Sequence, residues 1–158
     1  MNDQAFQLEA IRQELDDTGS AIGSLYDYLD HGHPNEREER DTHARIDEYK
    51  QSEAKTLAQF TELLTRLRSA SPEVVETWAR WHIGFCERII AETADAKPQP
   101  NGHISDAQVS NYVARETLGQ WQEVLAGTKD FIWINSYFLW DYRKAVVAAV
   151  AEWRRKQE

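Results

Sequence analysis

The chain has 158 residues, 41% of them hydrophobic and 28% charged, with a net charge of −9. That length and composition belong to a folded domain with a core of its own and exclude a disordered segment or a disulfide-stapled miniprotein. The acidic balance argues against direct nucleic-acid binding, and the single cysteine, Cys86, excludes an internal disulfide and fits a reducing, cytoplasmic setting. No apolar run approaches the roughly 18 residues of a membrane helix, and the polar, acidic start MNDQAFQLEA does not read as a secretory signal.

A first helix is expected over residues 3–30. Leu8, Ile11, Leu15, Thr18, Ile22, Leu25 and Leu29 alternate spacings of three and four, the seam of a helix laid along another. Gly19 and Gly23 interrupt it, marking weak points or a close approach by a neighbour. His31-Gly32-His33-Pro34-Asn35 stops the helix, and a second runs over 36–68 with Ile46, Tyr49, Leu57, Phe60, Leu64 and Leu67 inward. The short turn makes the pair an antiparallel hairpin.

Ser71 as N-cap and Pro72 in the first turn open a third helix over 72–93, with Val74, Trp78, Trp81, His82, Phe85, Ile89 and Ile90 on its buried face. Residues 94–104 hold two prolines and a glycine and read as a loop. Ser105 and Gln108 form a capping box for a fourth helix over 106–126, which Gly127 ends. Thr128 is expected to cap a fifth over 129–156, apolar on more than one side from Phe131 to Trp153 and ending in the basic tip Arg154-Arg155-Lys156, which suits its dipole. No strand-period segment and no repeat is present. The expected fold is therefore all-α: a single-domain bundle of about five helices, with the long hairpin packed against the other three.

The charge is uneven. Residues 1–36 hold eight acids and one base, Arg12, so the first helix reads as an acidic rod. Its far end is rich in Leu25, Tyr26, Tyr28 and Leu29, while helix two has no large apolar residue before Ile46 to cover them. Either helix five reaches over that end or it stays open to a partner. The site read here is a partner-binding surface of Asp16, Asp17, Tyr26, Asp27, Tyr28 and Asp30. The acids would steer a basic partner and the tyrosines would anchor it. A homodimer through the same end is a further expectation.

No enzyme motif is found: no glycine-rich phosphate loop, no nucleophile elbow and no paired CxxC. No catalytic residue and no cofactor is assigned. Glu39, His43 and Asp47 share one face of helix two and are weak metal-ligand candidates, since they lack the Glu-x-x-His spacing of di-iron bundles. His82 reads as a core histidine with one hydrogen-bond partner, and Cys86 as buried and inert. Glu116, Asn135 and Asp141 need partners if they face inward, with Arg115, Arg143 or Arg80 the candidates. The function expected is a non-enzymatic interaction protein that binds a protein partner, in the manner of an immunity protein, antitoxin, inhibitor or accessory subunit. The alternative is an enzyme or ligand sensor with a pocket between helices three to five, walled by Trp78, Trp81, Trp121, Trp133, Tyr137 and Trp140, or a metal-binding bundle around His43.

Overall fold

The computed structural model describes residues 1–158 and contains five helices and no strand. They are α1 (Asp3–His31), α2 (Glu36–Ala70), α3 (Pro72–Glu92), α4 (Asp106–Ala126) and α5 (Trp140–Gln157). The chain is thus an all-α bundle, as the periodicity requires. No helix is long and apolar enough to cross a membrane.

Local chemistry explains most of the ends. Asn2 Oδ1 accepts from Ala5 N, and Asn35 Oδ1 accepts from Glu38 N while its amide donates to Glu38 Oε1 at 2.8 Å. The bonds to Ala5 N and Glu38 N each satisfy an amide that the first helical turn leaves without a partner. The Ser105–Gln108 capping box forms as read, and Gly127 closes α4 at φ 79°, a backbone setting that a side chain would strain. Ser71, the one residue between α2 and α3, makes no side-chain cap, so α3 starts on Pro72 alone.

α1 pairs with α2 and α3 with α4, and these are the two most extensive helix contacts. The core lies where the N-terminal half of α1 meets the C-terminal half of α2, α3, α4 and α5. It gathers Leu8, Leu15, Phe60, Leu64, Trp78, Trp121 and Val146. Leu57, placed inward by periodicity, is exposed, and Thr56 and Leu63 are buried in its stead. The departure is local, since Ile46, Phe60, Leu64 and Leu67 are buried as the periodicity requires.

The largest departure from the expected helices lies at residues 128–139. They are not helical, and α5 begins at Trp140 rather than near residue 129. Thr128 does not cap α5; its amide and hydroxyl both donate to the Glu123 carbonyl and close α4. Beyond it, Ile132 and Ile134 are buried and Trp133 points out, the period of two of an extended segment. Asn135 Oδ1 then accepts from the amides of Tyr137 and Phe138, a local turn that competes with helix. Two arginines hold this segment: Arg12 donates to the Ile132 carbonyl at 3.0 Å, and Arg68 to the Lys129 carbonyl at 2.8 Å and to Asp130.

α5 lies antiparallel to the first half of α1. Arg143 bonds Asp17 at one end and Trp153 Nε1 bonds Asp3 at the other. No hydrogen bond or ion pair links α1 beyond Asp17, or the first half of α2, to α3, α4 or α5. The end of the hairpin is a two-helix arm.

Candidate functional site: a buried ionic centre and an exposed acidic arm

The core holds charge. Glu9, Arg12 and Asp16 follow one another at spacings of three and four, so they share a stripe of α1 that faces inward. Arg12 grips Glu9 through Nε at 3.0 Å and Nη2 at 2.8 Å, and reaches Asp16 Oδ2 through Nη1 at 2.6 Å. Glu9 Oε2 also accepts from Trp78 Nε1 at 2.9 Å and lies 2.6 Å from His82 Nε2. On the far side of the imidazole, Nδ1 is 2.6 Å from the Tyr142 hydroxyl, whose oxygen accepts from Trp121 Nε1 at 3.1 Å. Glu9, Arg12, His82 and Trp121 are wholly buried, and Asp16 and Tyr142 nearly so.

A neutral imidazole satisfies this chain. An ionised Glu9 only accepts, so His82 Nε2 carries the proton and donates; Nδ1 is then free to accept from the phenol. The ring is then neutral. Burial agrees, holding the His82 imidazole below its usual range despite Glu9. The neutral ring stacks on Trp121, with centroids 3.9 Å apart and planes 5° from parallel. Burial also acts on Glu9, but Arg12 and His82 outweigh it and hold that carboxyl well below the usual range. Asp16 goes the other way. Burial raises it to about 6, outweighing the opposing pull of Arg12, and the like charge of Glu9 adds to the rise. Its Oδ1 is buried with no hydrogen-bond partner.

The centre ties α1 to α3, α5 and the 128–139 segment through groups that cannot separate without stranding a charge. It holds a proton in place and orients His82. Tyr142 is raised well above its usual range by burial, so its phenol stays protonated. Cys86 is buried and its thiol is pushed up to about 12, so it is not a thiolate at neutral pH.

The residues read from sequence fall into three places. Asp16 is corrected: it faces inward to Arg12 and offers nothing to a partner. Asp17 is exposed but bonded to Arg143 at 2.8 Å, beside α5. Tyr26, Asp27, Tyr28 and Asp30 sit together near the tip of the arm. Tyr26 is 41% and Tyr28 38% exposed. Tyr28 donates to Glu38 at 2.7 Å, Lys50 lies over the Tyr26 ring, and Asp27 pairs with His31. Helix five does not reach this end. The arm closes partly on itself, Thr42 and Ile46 being buried between its helices.

The metal candidates do not assemble. His43 is 4.0 Å from Glu39 on an exposed face, and no group of three His, Cys, Asp or Glu side chains is placed to hold an ion. The aromatic residues proposed to wall a pocket divide between environments. Trp78 and Trp121 fill the core, whereas Trp133, Tyr137 and Trp140 are exposed. Glu116, Asn135 and Asp141 are exposed as well; Glu116 takes the Tyr112 hydroxyl, and Arg80 bonds Glu76. Glu9, Arg12 and Tyr142 were not singled out from sequence, and His82 has two partners rather than one. A signal was present: the only base in residues 1–36 is flanked at helical spacing by two acids beside the Leu8–Leu15 seam.

Fold and centre together define a five-helix bundle locked by a buried carboxylate–arginine–imidazole–phenol network, with half of its first hairpin standing free. Comparison with models of known protein families, with curated proteins and with solved structures finds no match to this chain.

Proposed function

We propose that the chain is a non-enzymatic interaction protein whose free arm binds a basic protein partner. The observation that carries this reading is the placement of charge on the uncovered half of the hairpin. Residues 24–48 hold eight acids and three bases, more than half of the whole net charge, on a segment that no other helix covers. Elsewhere on α1 the acids are spoken for: Glu9 and Asp16 are internal, Asp3 takes Trp153, Asp17 takes Arg143, and Arg154 lies 3.8 Å from Glu14. The remaining field therefore points from the arm, where it raises the encounter rate with a cationic surface. Tyr26 and Tyr28 supply half-exposed aromatic area of the kind that anchors interfaces. A reducing, cytoplasmic setting suits the unpaired Cys86.

The test is affinity capture with the wild-type chain and with a double variant, Asp27→Lys/Asp30→Lys, at exposed positions. The expected result is one stoichiometric protein retained by the wild type. It elutes with salt and is lost from the variant at unchanged helicity and Tm. Equal capture by both chains would refute the arm as the binding surface. Sedimentation of wild type and Tyr26→Ala checks whether the partner is a second copy.

A further inference from the structure

α5 packs against α1, α3 and α4 through one side only. Tyr142, Val146 and Val150 face the core, and Gln13 donates to the Val146 carbonyl at 3.1 Å. On the other side Trp140, Lys144, Val147 and Ala151 are exposed, Trp140 by 61% and Val147 by 43%. They are spaced i, i+4, i+7 and i+11, a straight stripe along the helix and the seam that a second helix matches. Between this stripe and α1 lies a groove of about 400 Å³. Val150 and Ala151 are in its lining with Arg143, Lys144 and Arg154; Arg143 is bonded to Asp17, and Arg154 lies 3.8 Å from Glu14. Lys144 is in no ion pair, and Arg154 is half exposed. A chain of net −9 thus presents here one unpaired cation, Lys144, and a half-exposed Arg154 beside an exposed indole and aliphatic carbon.

We propose that the α1–α5 groove docks an acidic amphipathic helix of a partner protein. Its apolar residues would seat between Trp140 and Val147, and its carboxylates would meet Lys144 and Arg154. Charge decides the occupant: the cations select an acidic ligand, opposite in sign to the partner of the arm, and the face is separate from the arm. Spacing decides its form, because alternating steps of three and four are met by a helix laid alongside. An anionic membrane is disfavoured, since the arm's carboxylates repel it and one Trp with one Val is little area to insert.

The experiment uses the full chain and a fluorescent synthetic helix with Leu at i, i+4, i+7 and i+11 flanked by Glu. Its twin carries Lys for every Glu, and vesicles containing phosphatidylglycerol are the third arm. The Glu peptide is expected to bind saturably, at least about tenfold tighter than its twin and less tightly as salt rises. Lys144→Glu and Val147→Asp, both at exposed positions, are each expected to weaken it about tenfold at unchanged Tm, and Asp27→Lys/Asp30→Lys to leave it alone. The proposal is overturned by equal binding of the two peptides, by no saturable binding at about 1 mM, or by indifference to both groove variants. Preferential uptake by vesicles, or a homodimer that Val147→Asp dissociates, overturns it in favour of a membrane or a second copy.

Discussion

Arg12 is the residue on which the interior depends. It neutralises Glu9, reaches Asp16 and holds the Ile132 carbonyl, all away from water. Arg12→Met removes the cation and leaves two buried carboxylates, so a loss of about 3–5 kcal/mol is expected in urea unfolding. Tyr142→Phe strands His82 Nδ1 and Trp121 Nε1 and should cost about 1–3 kcal/mol, with folding retained. Asp16 gives the opposite sign. Its folded carboxyl, raised from 3.8 to about 6, takes up a proton before the unfolded chain does. That stabilisation is complete below pH 3.8 and is lost as pH rises through 6. Asp16→Asn keeps the neutral form at every pH. It should therefore be more stable than wild type at pH 7–8, by on the order of 3 kcal/mol, the gap closing below pH 4. His82 works against this trend in the wild type: its lowered folded value means stability falls as pH drops below 6.5. The variant unmasks that slope. Unfolding curves of both chains from pH 4 to 8 measure it, and a variant less stable at pH 8 would show that Asp16 is favoured as an anion.

At the scale of the element, the two glycines of α1 separate a packing role from a loss of stability. A Cβ at Gly23 meets nothing within 4 Å, whereas at Gly19 it would fall 2.2 Å from the Trp133 ring. Gly23→Ala should thus stabilise α1 by about 0.5–1 kcal/mol through helix propensity. Gly19→Ala must push aside an indole that packs on Phe131, with centroids 4.8 Å apart, and should gain nothing or destabilise. Thermal melts of the two variants check the order. The same indole belongs to residues 128–139, where the expected helix gives way to an extended segment. A continuous apolar run from Phe131 to Ile134 suits a buried helix and an extended strand equally well. What decides it is Asn135, whose side chain takes the two amides that a continuing helix would have used.

Across the whole molecule, burial is concentrated at one end. The arm contributes Thr42 and Ile46 to the buried set, while the charged centre and both core tryptophans lie at the other end. Regions with few buried contacts open without global unfolding. Hydrogen exchange should accordingly divide the chain, with amides of residues 20–30 and 38–50 exchanging by local opening and those of 8–16, 76–86 and 114–124 only by global unfolding. Uniform protection along α1 and α2 would mean that the arm is part of the cooperative core.

Much of this was legible in the residues. Helical periodicity, the Pro72 start, the Ser105–Gln108 box and Gly127 are local signals, because each depends on groups within one turn of the chain, and they located α1 to α4. The mismatch at the tyrosine end was also visible, since the lack of a large apolar residue in helix two before Ile46 is a property of the string itself, but whether helix five covers that end was not. The inward turn of Glu9 and Asp16 was not. Whether a carboxylate on a helix faces water or core depends on what lies across from it, and Trp78, His82, Tyr142 and the Ile132 carbonyl arrive from as far as 133 positions away in sequence. Sequence by itself determined that the chain is helical, acidic and without a disulfide. Only the tertiary structure decided which charges are interior, because burying an ion is tolerable only where distant partners converge on it.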